Sequence, residues 1–309
     1  MLDEAPFPET CASGSCREQG WSDPESRLCI LHDPRPEKDE GRFVSRLREL
    51  ATDGDIRLTG LQCPTGCNLE GIDLSGANLG DSRMIDVRLD GARLTGAHLH
   101  GSDLSGASLV RADLCGTDLM EVRLTGASFR DAQAIAAYCH GAILTAVDFS
   151  GAVLVGSYMD DVDLRGACFE SCQMQGVHLA RAQLAAARMN GAALQGADLP
   201  RANLEGARLQ DAFLDGANLE EARLTGADLR GATLRAAYLL KVDLKGACLA
   251  GAHLEGAYLT EANLSGADLR QADLRGARLE EVDLRGALIA GANLRGTRLE
   301  GTDLSRVAG

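Results

Sequence analysis

Aromatic residues are nearly absent from this chain. Only 4% of its 309 residues are Phe, Trp or Tyr, and a single tryptophan is present. An ordinary globular core of this size leans on aromatic bulk, so one large irregular core is excluded. Proline is also scarce, at 7 residues. No apolar run reaches the length of a membrane span, and none is expected to cross one. An excess of positive charge is lacking too. The net charge is -14, which excludes nucleic-acid binding through a generic basic face. The first residues, Met1-Leu2-Asp3-Glu4, lack the basic-then-apolar pattern of a secretory signal. The expected location is therefore cytoplasmic, where the 10 cysteines would be reduced thiols or metal ligands.

What is abundant is Leu, Ala and 36 glycines, and their order is periodic. From Asn68 a large apolar residue recurs every five positions, beginning Leu69, Leu74, Leu79, Met84, Leu89 and running in one register to Leu304. That makes about 48 units without an insertion. Two residues before each stands a small one, such as Ala77, Ala92, Ala97 or Thr117. A polar residue separates them, often Asp or Asn, as at Asn78, Asp103 and Asp113. A variable residue and then usually Gly follow. A period of five would carry the Leu stripe around the whole surface of a helix, so a helix is excluded. Small-polar-large alternation is a strand pattern that turns the first and third residues inward. Gly permits the positive φ of a corner, and Asp or Asn can bond backbone that the corner leaves without partners. The pattern predicts a solenoid with a narrow Leu/Ala lumen.

The unit Ala227-Asp228-Leu229-Arg230-Gly231, repeated at Ala267-Asp268-Leu269, resembles the signature of the pentapeptide-repeat family over about four fifths of the chain. The resemblance implies an all-β fold: a right-handed quadrilateral β-helix in which four pentapeptides make one coil. Tyr138, Tyr158, Tyr238 and Tyr258 fall at multiples of 20 residues, as do the inward Phe129, Phe149 and Phe169, followed by Met189. A 20-residue coil is expected, giving about twelve coils and a rod of about 60 Å.

The expected organisation is a Cys/His-rich leader over 1–38, a capping α-helix over 39–55 and the β-helix over 56–306. Ile56, Leu58, Leu61 and Cys63 continue the repeat with a one-residue slip at Pro64. Asp39 to Ala51 reads as a short amphipathic helix with Phe43, Leu47 and Leu50 on one side, suited to covering the first coil. Cys11, Cys16, Cys29 and His32 form C-x4-C-x12-C-x2-H, a set that suits structural zinc or stands as unligated thiols. The stretch Cys29-Ile30-Leu31-His32-Asp33-Pro34 resembles a Cys-rich leader found ahead of some pentapeptide-repeat proteins. Cys63, Cys67 and Cys139 read as small inward thiols, while Cys115, Cys168 and Cys248 read as outward. At the far end Ile289, Leu294, Leu299 and Leu304 would line an exposed last coil. Either a homodimer forms there or the end frays.

Two outer faces depart from a charged surface. Ile135, Val153, Val155, Ala193 and Phe213 stand where polar residues are expected, with Gln133, Gln173, Gln175 and Gln195 among them. This is the pattern of a contact surface. On the neighbouring face Tyr138 and Tyr158 continue to His178, either as an interface or as a ladder that steadies the coils. His98, His100 and His140 read as surface residues. No nucleophile elbow, phosphate loop or metalloprotease motif occurs, so no enzyme activity is expected.

The expected function is a protein-protein interaction scaffold for an unidentified partner, with no direct nucleic-acid binding. The family resemblance implies an alternative, since some members mimic duplex DNA and bind or protect DNA gyrase. That role needs a strongly acidic rod. About six of the negative charges belong to the first 55 residues, and along the rod arginines alternate with acids, as in Asp215, Arg235, Glu255, Arg275 and Arg295.

Overall fold

Each pentapeptide has five backbone N–H groups to satisfy, and the computed structural model shows where they go. It describes Leu31, residues 39–53 and residues 57–308. In the unit around Leu229, the Asp228 N–H bonds the Ala207 carbonyl of the preceding coil at 2.9 Å, and the Leu229 N–H bonds Cys248 of the next at 2.7 Å. The Gly231 N–H also reaches the next coil, at Ala250, and the Ala232 N–H closes a turn onto Leu229 at 3.0 Å. The fifth, on Arg230, is taken by the Asp228 carboxylate at 3.2 Å. The recurrent Asp or Asn is thus the acceptor for the one donor that neither the ladder nor the turn can use. Ser75 on Asp73 and Ser265 on Asn263 repeat the arrangement.

The result is a β-helix. Short parallel bridges join residues 20 apart, as in Asp228 to Cys248 and Tyr138 to Tyr158. The first two bridges, Arg57 to Asn78 and Gln62 to Arg83, span 21 residues instead. The extra residue is the slip at Pro64. Positive φ falls at the same corner position in every unit, which is what a type II turn requires at its third residue. Nineteen of these corners are not glycine, so the lateral bonds hold Asp, Glu, Arg, Lys and Ala in a conformation that such side chains rarely adopt.

The lumen is filled by the large and small inward residues, nearly all of them solvent-free. Phe129, Phe149 and Phe169 stack inside it with ring centroids 5.0 and 5.2 Å apart. Small partners make room for them: Ala127, Val147 and Ala167 sit on the same strands. Ser82, Ser102, Thr117 and Ser157 take small inward positions because each hydroxyl donates to a carbonyl there, as Thr117 does to Leu94 at 2.8 Å.

One α-helix, α1 (Glu40–Asp53), lies over the first coil. The Asp39 carboxylate caps its start by accepting from the Arg42 N–H at 3.0 Å. Phe43 and Leu47 are fully buried in the core, and Val44, Leu50 and Ala51 pack beside them. Polar contacts fix the docking. Glu40 Oε1 accepts from the Asn68 N–H at 3.0 Å, and Arg48 donates to the Glu70 carbonyl at 3.1 Å. Asn68 has no earlier coil to bond, so the Glu40 carboxylate takes the place of a missing strand. Leu31 is also fully buried, and its carbonyl accepts from the Gln62 N–H at 2.8 Å.

At the other end the apolar residues are only partly covered: Ile289, Leu294, Leu299 and Leu304 are half-buried. The chain turns there through a 3-10 helix, η1 (Leu304–Arg306), capped by the Asp303 side chain. Ala308 then bridges to Leu288, so part of the last coil is underlaid by the final residues.

Two outcomes follow from this packing. Phe149→Ala removes the middle ring of the stack and should cost about 3–5 kcal/mol in denaturant unfolding, since a lumen held by lateral bonds collapses little. Acid should also loosen the rod. Arginine hydrogen bonds hold the carboxyls of Asp163, Asp228, Asp268 and Asp283 below the ordinary value of 3.8. A depressed carboxyl contributes stability above its unfolded value and loses it as pH falls through the folded value. The melting temperature should therefore hold steady down to about pH 5 and decline below it. A melting temperature that rises on acidification below 3.8 would contradict the role given to these carboxylates.

Candidate interaction surface

Outward residues occupy the middle of each short strand and the variable corner position, so 20-residue columns line up on one face. The face carrying positions 113, 133, 153 and onward is charge-free from Cys115 to Phe213. It presents Cys115, Gln133, Ile135, Val153, Val155, Gln173, Gln175, Ala193, Gln195 and Phe213, between Asp113 above and Asp215 below. Ile135 is 40% exposed and Phe213 43%, and Val153 and Val155 are partly exposed. Apolar area left on water in this way costs stability.

Across the small corners Ala136 and Gly156 lies the next face, where Tyr138 and Tyr158 stack at 5.2 Å with ring planes 2° apart. His178 extends the stack at 4.8 Å from Tyr158. The tyrosines remain 47% and 42% exposed, so the ladder steadies adjacent coils and still offers its edges and hydroxyls outward. A second stack on the same face joins Tyr238, Tyr258 and the Arg278 guanidinium, 4.7 Å over the Tyr258 ring. Met120, in the corner after Asp118, is exposed beside the tyrosines, while the exposed Ile143 lies in another column, bridged to Arg123 and Asp163. Among the described residues, four of the seven exposed large apolar side chains, Met120, Ile135, Tyr138 and Tyr158, thus fall on these two faces within two coils. Met120 occupies the variable position after Leu119 and looks ordinary until the coils are stacked, whereas Ile143 occupies the strand position that is usually polar.

Polar groups within the stripe are under-satisfied. The Oε1 atoms of Gln175 and Gln195 are shielded from solvent and find no hydrogen-bond partner among the described residues. Such acceptors are costly to leave unpaired. Elsewhere the surface is knitted by ion pairs between neighbouring coils and within units. Arg181 meets Asp161, Arg201 meets Glu221, and Arg235 and Arg275 converge on Glu255. Positive and negative groups therefore alternate along the rod in place of a continuous acidic field.

The remaining expected sites are unlike one another. Cys11, Cys16, Cys29 and His32 lie outside the described residues. Cys63, Cys67 and Cys139 are buried in the lumen, and burial pushes the Cys139 thiol up to about 12. Cys172, also inward and overlooked in the sequence, is raised for the same reason. Cys168 occupies an outward position but is buried, with its Sγ 3.0 Å from the Ser150 hydroxyl. Its neighbours on adjoining coils cover it, which its place in the repeat does not reveal. His98, His100 and His140 are exposed, and His98 Nδ1 lies 3.7 Å from Asp118. Among the described residues no group of three or more His, Cys, Asp or Glu side chains is placed to hold a metal. No helix there is long and apolar enough to cross a membrane.

Comparison with known proteins agrees with the repeat. The family described as pentapeptide repeats matches in eight copies, over residues 65–101, 97–133, 135–171, 169–201, 178–216, 201–235, 237–276 and 267–306. No curated protein matches the chain. Among solved structures, it is similar to HetL, a pentapeptide repeat protein involved in heterocyst differentiation regulation from Nostoc sp. strain PCC 7120. That match has 30% identity and a TM-score of 0.42, over 71% of this chain and 89% of that one. It is similar to the pentapeptide repeat protein Rfr23 from Cyanothece 51142 at 40% identity and a TM-score of 0.24, over 33% of this chain and 63% of that one. It is also similar to QnrB1, a plasmid-mediated fluoroquinolone resistance protein, at 19% identity and a TM-score of 0.31, covering 65% and 92%. With the repeat matched along most of its length and its coils hydrogen-bonded at 20-residue spacing, the chain belongs to the pentapeptide-repeat family, whose fold is a right-handed β-helix.

Proposed function

We propose that the protein is a non-enzymatic interaction scaffold whose partner docks on the charge-free stripe and the adjoining tyrosines. The carrying observation is the concentration of exposed Met120, Ile135, Tyr138 and Tyr158 on the stripe and the face beside it, within two coils of a rod whose other described outward positions are mainly polar. Twenty residues and four corners per turn support a four-sided frame of about twelve coils. A rod filled with Leu and Ala offers flat outer faces and no deep catalytic cleft. On this reading 1–38 is a leader, 39–55 a cap and 56–306 the frame that holds the stripe rigid.

The DNA-mimic alternative draws less support. Interleaved pairs such as Arg181 with Asp161 and Arg201 with Glu221 neutralise one edge of the rod where mimicry needs unbroken negative charge. A supercoiling assay with purified gyrase separates the two readings. The scaffold reading expects neither inhibition nor protection at micromolar protein.

Pull-down from the native host should show proteins retained by the wild type and lost with Ile135→Asp plus Val155→Asp. Identical capture by both would remove the stripe as the interface. The half-covered last coil supports a further contact, a homodimer through Ile289, Leu294, Leu299 and Leu304. Light scattering should then report about twice 32.5 kDa, and a monomer at high concentration would exclude the dimer.

A further inference from the structure

The rim of the stripe narrows the kind of partner it fits, given that the stripe is an interface at all. Beyond the tyrosines, toward the next corner, stand Met120, Glu121, His140, Asp160 and Asp161, with Asp118 in the tyrosine column itself on the preceding coil. Asp161 is engaged by Arg181, with its oxygens bonded to the guanidinium. Asp118 accepts from the Met120 N–H at 3.0 Å and pairs with His98, while Glu121 and Asp160 have no Lys or Arg within ion-pair distance among the described residues. Asp160 does accept the Ala180 N–H, at 2.8 Å, which fixes its position. This edge therefore carries more acidic than basic side chains, with Arg181 bonded to Asp161 and also drawn to Asp160. Apolar side chains lie on one side of it, and the unpaired Gln175 and Gln195 carbonyl oxygens lie further down the stripe.

Shape restricts the occupant as well. The strands of this face are already bridged above and below, so an extended peptide finds no free edge to join. From Cys115 to Phe213 the stripe runs for about 24 Å along the rod at the usual spacing between strands. That is the length of about 16 helical residues, and a helix of diameter about 10–12 Å fits over the corner of Ala136 and Gly156, between the stripe and the tyrosine face. We infer that the stripe receives an amphipathic helix of a partner protein, lying along the rod axis. Its apolar side meets Ile135, Val153, Val155 and the tyrosines, and its Lys or Arg edge faces Glu121 and Asp160.

Two fluorescent probes test the inference on the full chain: a Leu/Lys amphipathic peptide of roughly 18 residues and a Leu/Glu peptide with the same pattern. Anisotropy is read at about 0.15 M salt. The Leu/Lys peptide should bind wild type at least about tenfold more tightly than the Leu/Glu peptide. Glu121→Gln plus Asp160→Asn, which keeps the acceptor for Ala180, should weaken Leu/Lys binding about fivefold or more. Ile135→Asp plus Val155→Asp should weaken it at least about tenfold. Circular dichroism melts show whether each variant is folded, and both pairs of substitutions are at outward positions.

Absence of Leu/Lys binding, or equal binding of both peptides, overturns the inference. Equal binding of the Leu/Lys peptide to wild type and both variants also overturns it, because the net charge of -14 would then be the attraction. Failure here is distinguishable from failure of the interface. If Ile135→Asp plus Val155→Asp loses its partners in the pull-down while the Leu/Lys peptide fails to bind, the stripe remains the contact and only the basic helix is excluded.

Discussion

Lateral hydrogen bonds between residues one coil apart are the interaction on which the rest of the molecule depends. A short strand of this kind has too little apolar surface to fold alone, and one coil encloses only a thin layer of Leu and Ala. Stacking supplies what a coil lacks: partners for its N–H groups above and below, and a continuous dry lumen. The strength of that constraint is visible at the corners. Asp211, Lys241 and Glu261 hold positive φ even though a glycine would adopt it more easily. Their local preference is overruled by bonds that must form on both sides.

The same constraint makes the ends special. A coil without a neighbour leaves donors, acceptors and apolar residues open at once. At the first coil α1 answers both needs, with Phe43 and Leu47 closing the lumen and Glu40 accepting from Asn68. Leu31 adds a carbonyl for Gln62 and a further buried side chain. The last described coil has less cover, from η1 and the bridge of Ala308 to Leu288.

Because the lumen sets the backbone so firmly, the outer faces are free to vary. An outward residue that breaks the polar habit is therefore free of any duty to the frame. Ile135, Val155 and Phe213 break it by exposing apolar surface, while Tyr138 and Tyr158 do so with rings that also support one another. Ion pairs such as Arg165 with Asp163 are solvated and add little individually, and they interrupt the rod's excess of negative charge.

The five-residue spacing by itself determined the strand character, the inward Leu and Ala, and the corner after each strand, because no other regular backbone keeps that period on one side. Tyrosines and phenylalanines at 20-residue intervals set the length of a coil in the same way. Phe43 and Leu47 marked the buried side of α1 because helical spacing puts them together. The tertiary structure alone decided what depends on distance between coils. Met120, in the corner after Asp118, comes beside Tyr138 only because the coils stack, with Asp118 bridged to Tyr138. Cys168, outward by its place in the repeat, is covered by groups from adjoining coils, including Ser150. The Glu40 carboxylate bonded to Asn68 likewise joins positions that share no pattern. A repeat prescribes what each unit must do, whereas contacts between units depend on which side chains the winding brings together.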